Sequence, residues 1–197
     1  MKKTSRKSRG ITRRRFIEGT AGAIGAAAVG SPGRALAAPK RSRKVDLTLR
    51  VNGKVRKLSI EPRVTLLNAL RNHLDVTGPK NICDRGACGG CAVLLVGLLV
   101  NSCMMLALDA EGKEITTVEG LSQGDTLHPL QEAFCEKDAL QCGFCTPGMV
   151  MASKALLDRK KNPTLGEIKA GLAGNICRCG TYPRIFEAIQ LACKKVR

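Results

Sequence analysis

Cysteine spacing restricts this chain more than any hydrophobic pattern does. Cys177 and Cys179 stand with only Arg178 between them. Residues i and i+2 of a helix point to different faces, and in a strand they lie side by side on one face. Two thiols so placed meet poorly as a disulfide, whereas both reach one metal centre. Cys142 and Cys145 form another short pair, with two residues between them. Earlier in the chain Cys83, Cys88 and Cys91 follow an x4–x2 spacing, with Cys103 after eleven more residues. Eight of the 10 cysteines thus fall into two quartets. Cys135 and Cys193 remain, each at an apolar helical position, and read as buried, inert thiols.

The first quartet has the spacing of a plant-type [2Fe–2S] site. One loop must wrap such a cluster, aim three thiolates inward and offer backbone N–H groups to sulfur. Gly86, Gly89 and Gly90 permit the turns and close approach this needs. Cys103, read as a strand residue, supplies the fourth ligand. Structural zinc favours two short pairs over an x4–x2 triplet, so the cluster is the better reading here. The second quartet is open between zinc and iron–sulfur, and its two short pairs suit zinc better. Each pair opens a predicted helix, where the N-terminus favours negative charge.

The net charge of +17 is lopsided. Residues 1–44 hold thirteen Lys/Arg against one acid, Glu18. With aromatics at 3% and no tryptophan, base stacking is poorly served, and nucleic acid is not the expected partner. Within the basic run, "TRRRFIE" (Thr12 to Glu18) has the pattern of a twin-arginine export signal, with Glu18 where Lys is usual. Gly19–Gly33 is too short and too weakly apolar for a stable membrane span, and "ALA" at 35–37 suits cleavage. The expectation is a signal peptide over residues 1–37, a basic linker over 38–44 and a periplasmic protein exported folded. Folding before export also turns the cysteines away from disulfides and toward a preloaded metal centre.

Two domains are expected beyond the linker. "VDLTLRV" and "KVRKLSI" alternate as strands around an Asn52-Gly53 hairpin turn. Thr65 caps a helix with leucines at 66, 67, 70 and 74. The cysteine loop follows, then strands in "CAVLLV", "LLVNSCMML" and "EITTVEG", completing an α+β roll over 45–120. Residues 121–197 read as four short helices, "HPLQEAFCEK", "TPGMVMASKALLDRK", "TLGEIKAGL" and "YPRIFEAIQLACKK". Pro147 sits early in the second, and Thr164 with Glu167 forms a capping box for the third. His73 and His128 read as structural, and no residue reads as catalytic.

Together, "GPKNICDRGACGGCAV", "VNSC", "QCGFCTPGM" and "GNICRCGTYPRI" resemble the small iron–sulfur subunit of the xanthine oxidase family of molybdenum hydroxylases, over residues 45–193. "CRCGTYPRI", where many members have "CRCTGY", is similar to the branch of isoquinoline and periplasmic aldehyde oxidoreductases. The resemblance implies a ferredoxin-like (β-grasp) domain followed by a four-helix domain, each holding one [2Fe–2S] cluster. It thereby assigns the second quartet to iron rather than zinc. Gln141 and Cys179 match positions that lie against the molybdopterin cofactor of a large partner subunit. Val96 stands where the family usually has Asp or Asn, making that turn more apolar, as a partner contact would.

The function implied is electron transfer. Electrons leave a molybdenum cofactor that oxidises aldehydes or N-heterocycles with water as oxygen source. They pass singly through the clusters at Cys142, Cys145, Cys177 and Cys179 and at Cys83, Cys88, Cys91 and Cys103, to an FAD-binding subunit or a cytochrome. The alternatives are a stand-alone two-cluster carrier and a secreted binding protein stabilised by zinc or disulfides.

Overall fold

The computed structural model describes residues 12–17 and 43–195. Residues 13–17 are helical, with the Thr12 hydroxyl accepting from the Arg15 N–H. The rest of the expected signal peptide, its cleavage point and most of the linker lie outside the described residues. Residues 43–195 belong to one compact unit. Among the described residues, no helix is long and apolar enough to cross a membrane.

β1 (Val45–Val51) and β2 (Lys54–Ile60) form an antiparallel hairpin from Val45↔Ile60 to Val51↔Lys54. Asn52 and Gly53 both have positive φ, 52° and 74°, as a type I′ turn requires. β3 (Ala92–Leu95) and β4 (Leu98–Asn101) form the second hairpin. β5 (Glu114–Thr116) enters between the hairpins, parallel to β1 and antiparallel to β3, giving the order β2-β1-β5-β3-β4. The helix expected after Thr65 is one α-turn, α1 (Leu66–Asn68), widening to a π-helical segment over Ala69–His73. Leu66, Ala69 and Leu70 face the sheet core with Leu47, Leu49 and Ile115. Leu67 turns instead toward Cys91 and Cys103.

The helical half has its own core. α2 (Pro129–Glu136), α3 (Thr146–Arg159), α4 (Leu165–Gly171) and α5 (Tyr182–Lys195) surround Leu130, Phe134, Met149, Ile168, Ile185 and Ile189. His128 is structural, as expected. Its Nδ1 accepts the Leu130 N–H, while Gln131 Oε1 accepts the His128 N–H, capping α2. The Thr164–Glu167 box caps α4 in the same reciprocal way.

The halves share a third cluster, in which Ala92 and Leu94 of β3 meet Met151 and Ala155 of α3. β3 is therefore buried on both faces, which explains its unbroken apolar run. Two expectations are corrected. Cys103 lies not on a strand but on a 3₁₀ turn, Ser102–Met104. The Ser102 hydroxyl and N–H both donate to the Cys91 carbonyl, at 2.7 and 3.4 Å, which ends the strand. Cys135 is exposed rather than buried. α2 buries Leu130, Ala133 and Phe134, and Cys135 falls one step round the helix from that stripe. Cys193 is buried, as expected.

Candidate iron–sulfur centres

The loop carrying Cys83, Cys88 and Cys91 is shaped by its backbone. Asp84, Gly86 and Gly89 adopt positive φ, and the Lys80 N–H donates to the Gly90 carbonyl at 2.9 Å, closing the loop. A Cβ on Gly86 would lie 2.8 Å from Met104 Cγ, and with a φ of +74° a side chain there is strained as well as crowded. The Gly86 N–H donates to Cys103 Sγ at 3.3 Å, and Asn101 Nδ2 donates to the Gly86 carbonyl at 3.2 Å. The turn that displaced Cys103 from the strand thus aims its sulfur back at the loop.

The thiols stand in pairs. Cys83 hydrogen-bonds Cys88, and Cys91 hydrogen-bonds Cys103, with Cys83 in electrostatic reach of the latter. Hydrogen bonds from the Arg85 N–H and from Cys88 lower the Cys83 pKa to about 7. Burial, then Cys91, raises that of Cys103 to about 11.

The second quartet pairs Cys145 with Cys177, and Cys142 lies in electrostatic reach. Cys145 is the N-cap of α3, and burial, then Cys177, raises its pKa to about 12. Burial also pushes Cys177 upward, but the Thr181 N–H, the Thr181 hydroxyl, Cys145 and the Cys179 N–H outweigh it and bring the pKa to about 7. Cys142 and Cys179 are exposed. Beside them a cleft of about 350 Å³ is lined by Asp138, Leu140, Gln141, Gly180, Thr181 and Arg184. Gln141 and the residue after Cys179 therefore share one opening, with an Arg184–Asp138 ion pair in its wall.

A [2Fe–2S] cluster is held by four cysteines distributed over two irons, and the pairs Cys83–Cys88, Cys91–Cys103 and Cys145–Cys177 fit that donor set.

The two sets abut. The Ile176 N–H donates to the Cys88 carbonyl at 3.0 Å, and Asn175 Nδ2 donates to the Gly89 carbonyl at 3.2 Å. A Cβ on Gly148 would lie 2.2 Å from the Gly89 carbonyl oxygen. Tyr182 braces the far side, its hydroxyl accepting the Cys177 N–H at 2.8 Å and donating to the Asn175 carbonyl at 3.3 Å. In "GNICRCGTYPRI" the pattern marks only the cysteines, and the roles of Asn175, Ile176, Thr181 and Tyr182 emerge with the fold. Their signal was only proximity to thiols.

Residues 117–190 match the family described as "[2Fe-2S] binding domain". The aldehyde oxidoreductase iron–sulfur-binding subunit PaoA of Escherichia coli O157:H7 is 42% identical, over 95% of this chain and 90% of that protein. Quinoline 2-oxidoreductase from Pseudomonas putida 86 contains a chain superposing with a TM-score of 0.76 at 41% identity, over 79% of this chain and 98% of that one. The aldehyde oxidoreductase of Desulfovibrio desulfuricans superposes with a TM-score of 0.74 at 39% identity. There the match covers 77% of this chain and 17% of a much longer one.

Proposed function

The chain belongs to the iron–sulfur subunits of the molybdenum hydroxylase family, and on that premise we propose that it carries electrons singly between a molybdenum cofactor on a large partner subunit and an outside acceptor. Cys83, Cys88, Cys91 and Cys103 hold one [2Fe–2S] cluster, and Cys142, Cys145, Cys177 and Cys179 hold the other. Each cluster accepts and releases one electron, which divides the pair released by hydroxylation of an aldehyde or N-heterocycle.

The observation that carries this reading is the seam between the thiol sets. From Cys88 the route to Cys177 is one carbonyl, one 3.0 Å hydrogen bond to the Ile176 N–H, and one peptide unit. Asn175 and Tyr182 hold that segment in place. Gln141 and Cys179, at the cleft, face the molybdopterin of the large subunit. The chain contributes ligands, positioning and exclusion of water rather than a catalytic acid or base. The outside acceptor is an FAD-binding subunit or a cytochrome.

Purification with a large molybdopterin-binding subunit, about four irons per chain and two distinguishable reduced-cluster EPR signals are the expected results. Zinc without iron would overturn the reading, and iron without a large partner would favour a stand-alone carrier. The site of action is the periplasm, reached by twin-arginine export. Lysine at both Arg13 and Arg14 should retain the loaded protein in the cytosol, and the exported chain should begin near Ala38.

A further inference from the structure

The sulfurs of the two quartets receive their hydrogen bonds from different kinds of donor. Around the first set the described donors outside the thiols are backbone N–H groups, from Arg85, Ala87 and Cys88 to Cys83, from Gly90 and Cys83 to Cys88 and from Gly86 to Cys103. Backbone donors come with the loop, and no substitution other than proline removes them. Around Cys177 there is in addition a side-chain hydroxyl. The Cys177 thiol donates to Thr181 Oγ1 at 3.7 Å; as a ligating thiolate the same sulfur has no proton and can only accept, which makes the Thr181 hydroxyl the donor. Thr181 and Cys177 are buried, at 5% and 8% exposure. The Thr181 N–H points to the same sulfur. Gly180, with a φ of +80°, turns the chain back so that both groups face it.

We propose that Thr181 is a positioning residue that sets how strongly the helical-half cluster holds an electron, through its hydroxyl hydrogen bond to the Cys177 sulfur. This rests on the cluster assignment of the Proposed function. One added electron makes the cluster and its thiolates more negative, and no proton or bond need change. A donor aimed at a ligating sulfur stabilises that added charge more than it stabilises the oxidised state, and burial of both partners keeps water from substituting for it. The hydroxyl therefore raises the reduction potential of this cluster relative to the one in the sheet half, and retains the incoming electron on the side of the Gln141 cleft.

The test is an EPR-monitored redox titration of the loaded full-length protein, with the helical-half signal identified as the one that Cys177→Ser removes. Thr181→Val keeps the branched shape and deletes the donor, whereas Thr181→Ser keeps the donor. Thr181→Val should weaken electron affinity at the helical-half cluster by about threefold to tenfold, the latter being ~59 mV for one electron. The serine variant should stay close to the parent, and the other cluster should not move. Should the valine chain fail to load, Thr181→Ala, which leaves more room, carries the same expectation. The proposal is overturned if the donor-deleted variant leaves both potentials in place. Equal shifts at both clusters, or a serine variant that behaves like valine, overturn it too, because packing would then be the cause. A parent protein without iron instead fails the underlying assignment before any variant is made.

Discussion

The two thiol sets are built by different means, and the contrast indicates which changes each will tolerate. In the sheet half, Cys83, Cys88 and Cys91 ride on an irregular loop whose course is set by left-handed residues and by backbone hydrogen bonds. In the helical half, Cys145 caps α3, and Cys177 is gripped by the side chains of Thr181 and Tyr182. The first arrangement is sensitive to an added carbon, the second to a lost polar atom. Both nonetheless contain one thiol with its pKa brought to about 7, Cys83 by the Arg85 N–H and Cys177 by donors that outweigh its burial.

The largest effect expected is all-or-none. Cys177→Ser should abolish one reduced-cluster EPR signal and leave the sheet half folded by circular dichroism. Survival of both signals would break the division into two sets.

Core truncations address whether the halves stand separately. Leu70→Ala in the sheet core and Ile189→Ala in the helical core each remove a fully buried side chain and should lose about 2–5 kcal/mol. Because Ala92 and Leu94 pack on Met151 and Ala155, denaturant unfolding of each variant should remain one transition. A separate early transition for Ile189→Ala would mean that the halves unfold independently.

Gly148→Ala strikes the seam itself. Its new carbon meets backbone, the Gly89 carbonyl, which a rotamer change cannot relieve. A loss of about 1–3 kcal/mol is expected by thermal unfolding, with both EPR signals shifted or broadened.

A gain is expected at the turn between β3 and β4. Val96 has a φ of 49° and is exposed, and a β-branched residue is strained there. Val96→Asn should stabilise the chain by about 1 kcal/mol in the same melts.

The smallest effect belongs to the α4 cap. Hydrogen bonds from Lys160, then Thr164, hold the Glu167 carboxyl down from 4.5 to about 2. Because the folded value is depressed, this contribution is complete above about 4.5 and fades as pH falls toward 2. Glu167→Gln should therefore melt lower than the parent at neutral pH, and the gap should close in acid.

Much of this molecule was legible in advance because its signals are local. Asn52-Gly53 dictates a turn whatever surrounds it, and the Thr164–Glu167 box and the apolar stripe of α5 are likewise properties of short stretches. Cysteine spacing, which groups the thiols into two candidate quartets, is local in the same sense. What escaped was decided by contacts distant in sequence. Cys103 left its strand because Ser102 folds onto Cys91, and the π-helical turn after Asn68 accommodates packing on two sides. Cys135 was misread because a short helix with a narrow apolar stripe leaves its neighbouring position open to solvent. The seam was invisible, since no pattern in either half announces that residues 89 and 148, or 88 and 176, will meet.

Gly89 and Gly148 approach with no space for a side chain on the latter, and this has a bearing on ancestry as well as on stability. A hybrid joining this sheet half to the helical half of a relative inherits a sound junction only if the donor also brings glycine to the facing position. The two halves are thus matched to each other at one backbone contact, and an exchange of either half has to preserve it.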